Sequence, residues 1–176
     1  LAAVEHPKIP GLFLLTAPAR PHGRPVTEIQ MADLLREVRR RFDFCLLDAP
    51  AGLGRGFQLA TCAADRCVVV TTADASSLRD AQHTVMELDR FPAGALHLVV
   101  NRVRKKLLRQ LHATIDDAID KAGLPLLGVV PEDDALPLCM NRGVPILLAD
   151  GQSAATAYRN IAKRLQGERV PLLRIR

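Results

Sequence analysis

Short apolar runs stand at five places along the chain: 12–16 (LFLLT), 44–48 (FCLLD), 67–72 (CVVVTT), 96–101 (LHLVVN) and 126–130 (LLGVV). Each has little polar alternation, which is the pattern of strands buried on both faces. Helical spacing fills the intervals. The spacing of Thr27 and Gln30 predicts a capping box ahead of Met31, Leu34, Leu35 and Val38. Ser76 or Ser77 is placed to cap a second helix, with Leu78, Ala81, Val85 and Leu88 as its apolar stripe. Leu108, Leu111, Ile115, Ala118 and Ala122 stripe a third, which Gly123 ends. Residues 153–165 read as a terminal helix, and 17–25 (APARPHGRP) as a loop. Strands alternating with helices predict an α/β fold with a mainly parallel sheet flanked by helices. No repeat or long linker divides the chain, so one domain is expected.

Composition narrows this picture. Apolar residues make up 48% of the 176, aromatics only 3%, and tryptophan is absent. The core must therefore be built from Leu, Val, Ile and Ala, which suits a helix-covered parallel sheet. The net charge of +5 comes without a basic stripe interleaved with aromatics, so no nucleic-acid partner is expected. The basic run 102–109 (RVRKKLLR) reads as a solvated helix start. Cys45, Cys62, Cys67 and Cys139 form no C-x-x-C pair, which argues against zinc and fits a reducing cytoplasm. The five histidines show no ligand spacing, and His97 reads as a core residue. No signal peptide or membrane-spanning run is visible.

Ligands of open α/β sheets sit at the carboxyl ends of strands, which makes the residues after each run the candidates for chemistry. The second run ends in Asp48, followed by Ala49, Pro50, Ala51 and Gly52. An aspartate after four apolar positions is suited to hold Mg²⁺ through water, and the turn behind it to face a γ-phosphate. The other reading of the spacing is a strand-end aspartate that caps the next turn. Asn101 and Arg102 end the fourth run; an Asn amide matches a purine edge, and it also makes an ordinary turn. Pro131, Glu132 and Asp133 end the fifth. The proline stops the strand, and the segment either packs on a flat base or starts an acidic helix turn.

Together these segments resemble the MinD/ParA family of deviant Walker A P-loop ATPases, and within it the septum-site-determining MinD branch. The resemblance is carried by 42–52 (FDFCLLDAPAG), 64–72 (ADRCVVVTT), 76–80 (SSLRD), 99–102 (VVNR), 128–133 (GVVPED) and 141–145 (NRGVP), and runs from about residue 9 to 171. It implies a three-layer P-loop NTPase fold, ATP and Mg²⁺ as ligands, and hydrolysis of ATP by the intact protein. Asp48 would place Mg²⁺ and water. Pro50, Ala51 and Gly52 would form switch II. Asn101 and Arg102 would contact adenine, bordered by Pro131, Glu132 and Asp133. Ser76, Arg79 and Asp80 would lie on a dimer or partner surface. The family further implies a homodimer formed across the nucleotide, peripheral membrane contact from the cytoplasm, recruitment of MinC, and regulation by MinE or another topology factor.

Three departures accompany the resemblance. No G-x-x-x-x-G-K-[ST] occurs, so the 176 residues are expected to be a single partial domain lacking the P-loop and switch I, and not to turn over ATP alone. Leu53-Gly54 follows Gly52 where relatives often carry an acid. The tail 168–176 (ERVPLLRIR) is short for an amphipathic membrane helix. Two other functions are compatible with the sequence: a ParA-type partitioning or flagellar-number ATPase, and a non-catalytic binding module with a decayed nucleotide site.

Overall fold

The structure is a computed structural model, and it describes residues 3–16, 25–92, 94–110, 114–149 and 153–173. The chain divides into two compact units, Leu1–Leu47 and Asp48–Arg176.

In the first unit, β1 (Val4–Glu5) pairs antiparallel with β2 (Phe13–Leu14), and the Phe13 ring meets Phe42 edge-on with centroids 5.2 Å apart. Helix α1 (Glu28–Arg39) begins at the expected capping box: Thr27 Oγ accepts from the Gln30 N–H, and the Gln30 side chain accepts from the Thr27 N–H. Glu28 lies in its first turn and Arg36 and Arg39 in its last, each favourable to the helix dipole. Two expectations fail here. Run 12–16 is an exposed two-residue strand at 13–14 rather than a strand buried on both faces. Run 44–48 pairs with no strand among the described residues, and Phe44 and Leu46 are 61% and 86% exposed. An apolar run becomes a buried strand only with a ladder partner beside it and layers above and below. Neither run has that setting.

The second unit carries the sheet. Helix α2 (Arg55–Thr61) leads to β3 (Cys67–Thr71), α3 (Ala75–Met86), β4 (Leu96–Val103), α4 (Lys105–Gln110), α5 (Ile115–Ala122), β5 (Leu126–Pro131), α6 (Ala135–Asn141), a 3₁₀ turn (Ile146–Leu148) and α7 (Ser153–Leu165). The strands are parallel in the order β3-β4-β5. One face of the sheet contributes Val69, Leu98, Val100 and Val129 to a core with Leu78 and Ala81 of α3 and Ala118 and Ala122 of α5. The other contributes Val99, Leu127 and Val130 to a core with Ile146 and with Ala154, Ala155 and Ala157 of α7. Three small residues let α7 approach the sheet closely. Gly128 does the same from the strand side, because a Cβ there would overlap Ile161.

The expected third helix is two. α4 ends at Gln110, and Thr114 opens α5 with its own capping box to Asp117. Leu111 lies outside the described residues, as does most of the 17–25 loop. Gly123 ends α5 at φ 66°, the left-handed conformation that glycine adopts without a Cβ penalty. The terminal helix has the expected limits.

Candidate functional site

The candidate residues occupy three places in the second unit. The first is the stretch that opens it. Asp48, Pro50, Ala51 and Gly52 are all exposed and precede α2. Gly52 has φ 85°, so the turn there requires a residue that tolerates the left-handed region. The Pro50 ring lies against Gly56 in the first turn of α2, in space a Cβ at that position would need. The segment thus turns back onto α2 at this close approach, which the spacing of the sequence had not suggested.

The second is the carboxyl end of β4 and β5. Val100 pairs with Val129 and Val103 with Pro131, so β4 spends three steps where β5 spends two. The extra residue is a bulge at Asn101-Arg102. Arg102 stands at φ 52°, the one described non-glycine residue with positive φ, where a side chain is strained. Its amide N–H donates to Asn101 Oδ1 at 2.9 Å. Its guanidinium grips Glu132 with two bonds, Nε to Oε2 at 3.1 Å and Nη2 to Oε1 at 3.2 Å, and Arg104 Nη2 lies 3.4 Å from the same Oε1. The bonds from Arg102 hold the Glu132 carboxyl below its ordinary range, partial desolvation opposes them, and the Arg104 charge adds to the lowering. Glu132 in turn raises the Arg102 pKa. The Glu132 N–H donates to Val103 O at 3.0 Å, which locks the two strand ends together. Pro131 is buried beside them.

Asp133 is engaged differently. One oxygen accepts from the Ala135 N–H at 3.1 Å, the other from the Ala154 N–H at 3.1 Å and from the Ser153 hydroxyl at 3.3 Å. A single carboxylate thus joins the starts of α6 and α7. Desolvation pushes its pKa up, but the N–H groups of Ala154 and Ala135 and the Ser153 bonds outweigh this and hold it below the usual range.

The third place is α3. Its N-cap is Asp74 rather than Ser76 or Ser77: Asp74 Oδ1 accepts from the Ser77 N–H at 3.0 Å, and the Thr72 hydroxyl donates to Asp74 Oδ2. The Thr72 bond, then the Ser77 bonds, hold the Asp74 carboxyl far below the usual range. A residue three before Ser77 with a short acidic side chain was the available signal. Ser76, Arg79 and Asp80 fall at helical spacing on the exposed face, opposite buried Leu78 and Ala81.

The structure therefore brings Asn101, Arg102, Pro131 and Glu132 to one strand end. No hydrogen bond among the described residues joins Asp48 or the Pro50–Gly52 turn to them. No group of three or more His, Cys, Asp or Glu placed to hold a metal occurs among the described residues. Asp48 offers one carboxylate. That suits a Mg²⁺ carried chiefly by phosphates and water, and it excludes a cage built from the described side chains alone.

The family profile described as cellulose biosynthesis protein BcsQ, a ParA-like group, matches residues 20–164. The chain belongs to this MinD/ParA family of P-loop ATPases. It is 32% identical over 98% of its length to the septum site-determining protein MinD of Synechocystis, and 35% identical over 92% to that of Bacillus subtilis. It spans 65% and 61% of those proteins. The solved MinD cell division protein of Aquifex aeolicus superposes with a TM-score of 0.79 at 30% identity, over 85% of this chain and 64% of that one. The MinC:MinD cell division complex of the same organism matches with a TM-score of 0.76 at 29% identity, over 85% of this chain and 63% of that one. The MinD/ParA fold accounts for the parallel order β3-β4-β5 and for the helices on both faces.

Proposed function

We propose that these 176 residues are a partial domain of a MinD-like cell division ATPase. In this reading they carry the adenine side and the switch II segment of its nucleotide site. One observation carries it: β4 and β5 end side by side, with Asn101 presented by a bulge and Pro131 and Glu132 beside it. An amide on a bulged strand end, next to a buried proline, is an arrangement suited to a flat purine edge. Arg102 borders the same place through its bonds to Glu132, and Asp133 follows Glu132 in the chain. Asp48, with Pro50, Ala51 and Gly52 after it, supplies the carboxylate and turn for the Mg²⁺ and γ-phosphate end. When bound, Mg²⁺ neutralises charge on the phosphates. The chain's own part there is to orient water with Asp48.

The intact protein would bind and hydrolyse ATP, dimerise across the nucleotide, attach peripherally to the cytoplasmic face of the membrane, and recruit MinC under control of MinE or another topology factor. Support for the MinC step comes from the likeness to the Aquifex MinC:MinD complex. Support for a partner role of Ser76, Arg79 and Asp80 comes from their common exposed face. No helix among the described residues is long and apolar enough to cross a membrane, which is compatible with peripheral contact.

The test is titration of a fluorescent ATP analogue, with Mg²⁺, into the chain and its Asn101→Ala and Asp48→Ala variants. Saturable binding weakened by Asn101→Ala supports the adenine site. Mg²⁺-dependent binding weakened by Asp48→Ala supports the switch II assignment. Binding indifferent to both substitutions, or no binding, would overturn the reading.

A further inference from the structure

Asn101 is an amide whose two ends have opposite hydrogen-bonding character. Its Oδ1 faces the Arg102 backbone N–H at 2.9 Å. That donor dictates which end is oxygen, so the other end is the Nδ2 donor. The same bulge that places this bond holds Arg102 at φ 52° in the extra step of β4. Nothing in an arginine favours that backbone; glycine or asparagine is the usual occupant. What opposes relaxation is the two-bond grip of Glu132 on the Arg102 guanidinium, reinforced by Arg104 and by the Glu132 N–H bonded to Val103 O. A forked pair fixes orientation as well as distance, which a single charge contact does not.

We infer that Glu132 is a positioning residue: by holding Arg102 in the bulge it keeps the Asn101 amide from turning over, and so makes the site choose a 6-amino purine over a 6-oxo purine. This rests on the adenine reading above. A pinned amide presents a fixed acceptor and a fixed donor. An amino group and N7 complement that pair, while a 6-oxo group sets oxygen against oxygen. An amide free to rotate accepts either base.

The experiment compares ATP with inosine triphosphate, by competition against the fluorescent analogue, in the 176-residue chain and in Glu132→Gln, Asn101→Ala and the double variant. The ATP preference of the unsubstituted chain should fall roughly three- to tenfold in Glu132→Gln, the worth of about one hydrogen bond. It should fall similarly in Asn101→Ala, and no further in the double variant, because both act through one amide. Equal weakening of both triphosphates in Glu132→Gln, or additive losses in the double variant, would overturn the inference. A second readout needs no nucleotide. The Asn101 side-chain amide signals in a nitrogen-15 spectrum should shift and broaden in Glu132→Gln. Unmoved signals would overturn the positioning role even if ATP binds. Moved signals in a chain that binds neither triphosphate would sustain the positioning of Asn101 while rejecting the adenine reading and its base selectivity.

Discussion

The ring of Pro50 fills the space beside Gly56 that a side-chain methyl would need. Pro50 belongs to an exposed turn and Gly56 to the first turn of α2, so the pair ties the segment that begins at Asp48 to the helix it precedes. Alanine at 56 would favour the helix by about 1 kcal/mol over glycine but would displace the ring. Gly56→Ala is therefore expected to leave the melting temperature nearly unchanged while moving the backbone resonances of Ala51 and Gly52. Adding Pro50→Ala should return those resonances towards their original positions. Unmoved resonances in the single variant would show that the contact does not steer the turn.

Gly128 has no such outlet. It lies buried in β5 with Ile161 of α7 against it. Gly128→Ala should cost about 1–3 kcal/mol, the usual penalty of overpacking a core. Urea denaturation would measure it. Ile161→Ala in the same chain removes the obstructing atoms, so the two losses should be less than additive.

Asp133 joins the starts of two helices. Asp133→Ala should cost about 1–2 kcal/mol at neutral pH, from lost caps and unsatisfied N–H groups. The folded-state pKa lies below the unfolded value, so the contribution is present above that unfolded value, about 4, and declines as pH falls through the folded one. The stability gap between the two proteins should narrow in acid. A gap independent of pH would mean the charge contributes nothing.

Asp74 gives the same sign over a wider window. Its pKa is held further down by Thr72 and Ser77, so its contribution persists well below pH 4. Asp74→Ala should cost about 0.5–2 kcal/mol as a lost N-cap, with amide exchange faster in the first turn of α3. Unchanged exchange at Ser77 and Leu78 would argue that the cap is dispensable.

The parts of the fold legible in the residues are those where local pattern and final environment agree. The runs at 67–72, 96–101 and 126–130 became β3, β4 and β5 because each is continuous, apolar and flanked by helices that cover it. Thr27 and Gln30 announced α1, and Gly123 the end of α5, since capping depends on neighbours three or four residues away. Run 44–48 looked the same as those three and is not a strand, because apolar continuity does not supply a partner.

For the candidate site the division is similar. Asp48, Asn101 and Pro131–Asp133 were visible as residues that follow apolar runs, a one-dimensional signal. Their relations were not. Glu132 meets Arg102 across 30 positions, Asp133 meets Ala154 across 21, and Pro50 meets Gly56 because a turn folds back on a helix. Periodicity and capping are local physics and can be read along the chain. Register shifts, forked ion pairs and close approaches depend on which strands become neighbours, and that is settled only when the sheet and its two helical layers pack.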